Sequence, residues 1–123
     1  MNVTLIKSKI HKARVTECDL NYEGSLMIDL DLMDAAGLLP YEKILVVNAT
    51  NGERLETYAI PGKRGSKVFM LNGAAARKGA PGDRITIMAF GSFGADEVAK
   101  DFAPKVIVLD EENNVAARKG AAK

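Results

Sequence analysis

Between Lys43 and Gly62 the chain reads as two strands joined by a tight turn. Lys43-Ile44-Leu45-Val46-Val47-Asn48-Ala49 is a β-branched run that stops at Asn51-Gly52. That dipeptide is the strongest short hairpin signal, because both residue types tolerate positive φ. Arg54 to Ile60 returns as the partner strand and ends at Pro61-Gly62. Such a pair cannot stand alone in water, so the rest of the chain has to supply further strands.

The remaining sequence does so. From Val3 to Ile10, a period of two puts Val3, Leu5, Lys7 and Lys9 on one face and Thr4, Ile6, Ser8 and Ile10 on the other, with Ala13 to Val15 as a continuation. Further strands are expected at Lys67 to Leu71, Arg84 to Phe90 and Lys105 to Leu109. Helices are expected to be short: one capped by Asp29 or Asp31 and stopped at Gly37, another from Gly94 to Asp101 with Asp96 and Glu97 in its first turn. Glu111 to Lys123 is small and polar and is expected to fray. With no linker in 123 residues, the expectation is one all-β domain whose closure into a barrel removes its exposed edges. The phrases Pro40-Tyr41-Glu42-Lys43-Ile44 and Pro81-Gly82-Asp83-Arg84-Ile85 echo one another. Two half-barrels of related design would produce this echo, as would the commonness of a turn-acid-base-strand phrase.

Composition narrows the function. Seventeen basic against 16 acidic side chains leave a net charge of +1, with no aromatic-basic stripe, which argues against nucleic acid. The single Cys18 can form no intramolecular disulfide, and Cys18 with the lone His11 is too small a set for zinc, so no metal is expected. No run of about 18 apolar residues occurs, so no membrane span is expected, and Met1-Asn2-Val3-Thr4 lacks the layout of a signal peptide; a cytoplasmic location is expected.

Gly-Ser occurs at Gly24-Ser25, Gly65-Ser66 and Gly91-Ser92, and each alone reads as a turn. The first is set apart by its context, Tyr22-Glu23-Gly24-Ser25, and by companions elsewhere: Lys9-x-His11, Arg54-x-x-Thr57-Tyr58-Ala59-Ile60 and Asn72-Gly73-Ala74-Ala75-Ala76-Arg77. With Asp34-Ala35-Ala36-Gly37 and Thr50-Asn51-Gly52, these segments resemble the bacterial aspartate 1-decarboxylase family, pyruvoyl enzymes that make β-alanine for pantothenate and coenzyme A. The resemblance runs from about Leu5 to about Phe102 and departs at Lys78-Gly79-Ala80 and in the tail.

The resemblance implies a double-psi β-barrel, a homotetramer, and self-cleavage between Gly24 and Ser25 into fragments 1–24 and 25–123. Ser25 then becomes a covalent pyruvoyl group, a ketone that condenses with the amine of L-aspartate and serves as electron sink. It replaces pyridoxal phosphate, and no phosphate-binding loop is seen. Self-cleavage requires the Ser25 hydroxyl on the Gly24 carbonyl carbon, and a glycine at 24 permits an unusual backbone and close approach. Thr57 is the implied oxyanion contact and Tyr58 the implied proton donor after CO2 leaves. A dianionic substrate calls for cations: Arg54 suits a bidentate carboxylate contact and Lys9 a second point charge, with either carboxylate open to either cation. Asn72, Gly73, Ala74 and Ala75 fit a tight turn whose N–H groups receive substrate. His11 and Tyr22 take supporting roles, and no motif names a maturation partner. Alternation on the strand puts Thr57 and Tyr58 on opposite faces, so a bulge, a strand end or two subunits' sites must reconcile them. The alternatives are a non-catalytic small β-barrel binding module, and a Ser or Cys hydrolase for which only His11 is available as base.

Overall fold

The computed structural model describes residues 1–120, so the last three of the tail, to Lys123, lie outside the described residues. Strands are β1 (Asn2–Arg14), β2 (Glu17–Asp19), β3 (Ser25–Asp29), β4 (Lys43–Asn48), β5 (Arg54–Gly62), β6 (Phe69–Asn72), β7 (Arg84–Gly94), β8 (Lys105–Leu109) and β9 (Val115–Lys119). One α-helix, α1 (Leu30–Ala36), and a 3-10 helix at Gly73–Lys78 complete the set. All nine strands form one sheet in the order β2-β6-β3-β5-β4-β7-β1-β8-β9.

The sheet closes because β1 and β2 are nearly one strand. β1 pairs antiparallel with β7, while β2, two residues further on, pairs parallel with β6. The link residues Val15 and Thr16 donate their N–H groups to Asp83 and Phe69 carbonyls. The run β6-β3-β5-β4-β7 is thereby joined at both ends by one chain segment, which makes a barrel. β3 and β5 form a second parallel pair. This mixed, mainly-β barrel agrees with the fold class expected from the sequence.

The interior follows from alternation. Ile10, Ile87 and Val46 face each other across β1, β7 and β4, and each is at most 1% exposed. Burying a side chain of this size stabilises by about 1.5–3 kcal/mol, so this inward row fixes the register more strongly than strand propensity does. α1 covers one end with Leu32, Met33 and Ala36. Its N-cap is Asp29, whose buried carboxylate accepts from the N–H groups of Asp31, Gly65 and Lys67 at 2.8–3.1 Å. Its stop is Gly37 at φ +75°, a left-handed cap that favours glycine.

Four expectations need correction. The segment Gly94 to Asp101 is not a helix: β7 continues to Gly94 opposite Asn2, and Glu97 turns back to accept the Gly94 N–H at 3.0 Å. The tail does not simply fray, because β9 pairs antiparallel with β8. Asn113 anchors that hairpin, accepting the Arg14 N–H and donating to the Arg14 and Lys67 carbonyls at 2.8–3.1 Å. The Asn51-Gly52 turn is longer than a two-residue loop: Asn48 N–H bonds Glu53 O across it, and of the dipeptide only Gly52 takes positive φ. Pro61-Gly62 is not a turn beyond β5 but its last two residues, paired with Ile28 and Asp29.

Candidate functional site

Ser25 is the first residue of β3 and sits directly opposite Asn72, the last residue of β6; neither has any exposed surface. The Ser25 hydroxyl donates to the Glu23 carbonyl at 3.1 Å and accepts from Asn72 Nδ2 at 3.2 Å. Asn72 Oδ1 is buried without a partner among the described residues. Buried polar groups nearly always find partners, so an orphan here marks a place where a further donor is received.

After Asn72 the chain turns sharply. Gly73 has φ +64°, and a Cβ there would stand 2.7 Å from Gly24 Cα, 2.8 Å from Gly24 N and 3.0 Å from the Tyr22 carbonyl. These are backbone atoms, which cannot swing aside. The structure corrects the role given to Gly24: its own φ is not positive, and a Cβ on it would meet only Asn72 O at 3.9 Å, an ordinary contact. The close approach is real, but the residue that must be glycine for it is Gly73.

Gly24 opens onto a cleft of about 250 Å3 shared with Leu55, Glu56, Thr57, Ala74, Ala75 and Lys78. Thr57 faces the barrel interior because its β4 partner is the buried Ile44. The fold thus gathers Tyr22, Gly24, Ser25, Thr57, Asn72, Gly73, Ala74 and Ala75 at one end of β3 and β6. Leu55 and Glu56 carry no signal in the sequence, and Lys78 stands there only as the start of the departure Lys78-Gly79-Ala80; its ammonium is engaged by Glu53 at 2.8 Å.

The other expected residues lie on the outer surface. Val46 and Leu55 point inward on paired strands, so Arg54, Glu56 and Tyr58 alternate outward, and Tyr58 stands beside Tyr41 with ring centroids 6.4 Å apart. Arg54 pairs with Val47 and Val47 with Thr86, whose hydroxyl shares a 3.1 Å hydrogen bond with His11 Nδ1. Lys9 lies on the neighbouring row through Met88 and Leu45 to Glu56. No bulge in β5 brings Thr57 and Tyr58 to one side. Burial, and then the charges of Lys9, Lys12, Lys119 and Arg84, hold the His11 pKa below its ordinary 6.5, so the ring is neutral at physiological pH. Thr86, the partner that fixes this ring, was legible only as an outward position of β7.

Cys18 is half-buried, with Sγ 3.5 Å from the Gly79 carbonyl, and burial beside Asp83 pushes its thiol pKa up, which disfavours the reactive thiolate. No group of three or more His, Cys, Asp or Glu side chains lies together as a metal site among the described residues. No helix among them is long and apolar enough to cross a membrane.

Comparison with known proteins adds an independent line. Residues 1–116 match the family model described as Aspartate decarboxylase. A protein of Salinibacter ruber named Aspartate 1-decarboxylase is 51% identical over 115 residues, covering 94% of this chain and 78% of its own length. A Leptospira biflexa protein of the same name is 52% identical over 113 residues, covering 92% of this chain and 96% of its own. One from Desulfitobacterium hafniense is 56% identical over 111 residues, covering 90% and 87% respectively.

Proposed function

Since the chain belongs to the aspartate decarboxylase family and is by that membership an enzyme that decarboxylates aspartate, we propose that it first cuts its own backbone between Gly24 and Ser25 and then works through a pyruvoyl group derived from Ser25. One observation carries this: Ser25, fully buried, has its hydroxyl clamped between the Glu23 carbonyl and Asn72, beside a Gly24 that opens into the Thr57 cleft.

In the proposed maturation, Ser25 Oγ adds to the Gly24 carbonyl carbon. The Thr57 hydroxyl donates to the oxygen that gains charge, a contact of the kind worth about 3–4 kcal/mol in a barrier. The Gly24–Ser25 C–N bond breaks as an ester forms, and the freed nitrogen takes up the serine proton. Loss of the Ser25 Cα proton then expels the Gly24 carboxylate from Cβ. Water hydrolyses the remaining dehydroalanine and ammonia leaves. The products are fragments 1–24 and 25–123.

The residues at position 25 fit a pyruvoyl group. Asn72 Nδ2, which donates to the Ser25 hydroxyl at 3.2 Å, would donate to a carbonyl oxygen in its place, and the Gly73 turn leaves a backbone cradle that a Cβ would fill. Asn72, Gly73, Ala74 and Ala75 would hold the group, which supplies an electron sink for the carbon that loses CO2. Arg54 and Lys9 bind the substrate carboxylates, and the Tyr58 phenol delivers a proton to the carbon left by CO2. Tyr58 and Arg54 face outward from the strand whose Thr57 faces inward, which supports a site shared between neighbouring copies in a homotetramer. The product, β-alanine, serves pantothenate synthesis, and a cytoplasmic location goes with it.

Mass spectrometry and a denaturing gel of the purified protein test this. Two fragments are expected, the larger blocked at its N-terminus, and Ser25→Ala should stay whole and form no β-alanine. Decarboxylation by intact Ser25→Ala overturns the pyruvoyl mechanism.

A further inference from the structure

A larger cleft, of about 460 Å3, lies outside the proposed catalytic machinery and is lined by Lys12, Arg14, Arg84, Leu109, Asp110, Glu111 and Glu112. Its volume falls within the range of small-molecule sites. Arg14 and Arg84 are direct partners across the antiparallel pair β1/β7, and like charges so placed repel. Among the described residues neither forms an ion pair, nor does Lys12, and Arg14 Nε is buried with no partner at all. Lys12 keeps φ +66° beside an irregularity in the β1/β7 register, an uncommon backbone for lysine.

The other wall is the turn from β8 to β9. Asp110 is occupied by the N–H groups of Asn114 and, less strongly, Glu112, both at 2.9 Å, which hold its pKa down and shape the turn. The Glu111 and Glu112 carboxylates form no ion pair with the arginines, although all line one cleft. The cleft therefore keeps a cationic wall and an anionic wall apart. With three cations against three carboxylates, it has no net charge to attract a polyanion.

We propose that this cleft is a second, non-catalytic binding site for a small zwitterionic amino acid. The ligand's carboxylate meets the guanidinium forks of Arg14 and Arg84, and its ammonium group meets Glu111 and Glu112. This is the charge class of the product β-alanine rather than of the anionic substrate, and that link rests on the decarboxylase reading above.

Isothermal titration of the purified enzyme with β-alanine, repeated on Arg84→Gln and on the double variant Glu111→Gln/Glu112→Gln, tests the assignment. Both variants should bind about tenfold or more weakly, the loss expected for a charge-assisted hydrogen bond. Arg84→Gln should keep its kcat/KM for aspartate. Absence of binding to the wild type, or equal binding to Arg84→Gln, removes the site. Tighter binding to the double glutamate variant also overturns the proposal, since it would make the cleft a plain anion site in which the acids only repel. These outcomes leave self-cleavage untouched, whereas failure of the pyruvoyl mechanism would appear as an uncut chain forming no β-alanine.

Discussion

Gly73→Ala is the substitution whose consequence the geometry states most directly. An alanine Cβ would lie 2.7 Å from Gly24 Cα and 2.8 Å from Gly24 N, whereas carbon pairs settle at about 3.5–4.0 Å. Gly24 must therefore retreat by roughly 0.8 Å or more. The left-handed backbone, φ +64°, adds about 1–2 kcal/mol for any residue with a Cβ. That second cost alone should lower Tm by several degrees without touching the chemistry. Displacement of Gly24 is different, because its carbonyl carbon is the atom Ser25 must reach; a misplacement of about 1 Å can cost on the order of 100-fold in rate. Gly65→Ala separates the two effects, having φ +80° but nothing within 4 Å of an added Cβ. A denaturing-gel time course should show Gly65→Ala cleaving like wild type and Gly73→Ala slowed by about 100-fold, with the shared φ cost lowering Tm in both and the clash lowering it further in Gly73→Ala. If Gly73→Ala matures at the wild-type rate, or Gly65→Ala is slowed as much, packing against Gly24 does not position the cleavage.

Thr57→Val should leave the precursor uncut, and equal cleavage in wild type would remove Thr57 from the oxyanion role. Tyr58→Phe should cleave normally but turn over about 100-fold or more slowly; unchanged steady-state kinetics would exclude the phenol as proton donor. Arg54→Lys keeps the charge but loses the planar fork, so aspartate binding and rate should fall while light scattering still reports a tetramer. His11 resists protonation in the fold, so the unfolded state binds more protons once pH drops below 6.5, and stability declines from there until the lowered folded pKa is passed. His11→Gln should flatten urea midpoints across that window, and an unaltered slope would assign the dependence to other groups.

How far the sequence discloses this depends on whether a feature is local. The inward row of Ile10, Ile87 and Val46 is written in period two, and α1 is written in Asp29 and Gly37, its two caps. The segments 94–101 and 115–119 were misread because tertiary partners overrode local preference: Asn2 extends β7, and Asn113 pins the last hairpin to Arg14 and Lys67. At the site, the motif residues were legible, but the division of labour between two glycines was not. Gly24 attracts attention as the proposed scissile residue, while Gly73 is demanded by a contact with distant backbone that no single-segment pattern records.

The alternation on β5 has the widest bearing on mechanism. Thr57 faces the cleft at Gly24, whose rim Glu56 also reaches, while Tyr58 and Arg54 do not line it and point outward on an unbroken ladder from Arg54 to Tyr58 against β4. If every assigned role holds, one copy cannot bring its own Tyr58 to its own residue 25 without breaking that ladder. Breaking it would expose Val46 and Ile44, both about 1% exposed, at a cost of about 1.5–3 kcal/mol each. Supplying Tyr58 and Arg54 from a neighbouring copy avoids that cost. Maturation and turnover then differ in what they require: Ser25, Thr57 and Asn72 belong to one chain, whereas decarboxylation needs two. Mixing inactive Ser25→Ala with the slow Tyr58→Phe under conditions of subunit exchange should therefore raise activity above that of either variant alone. No recovery, with exchange verified by native mass spectrometry, would mean that Tyr58 serves its own chain.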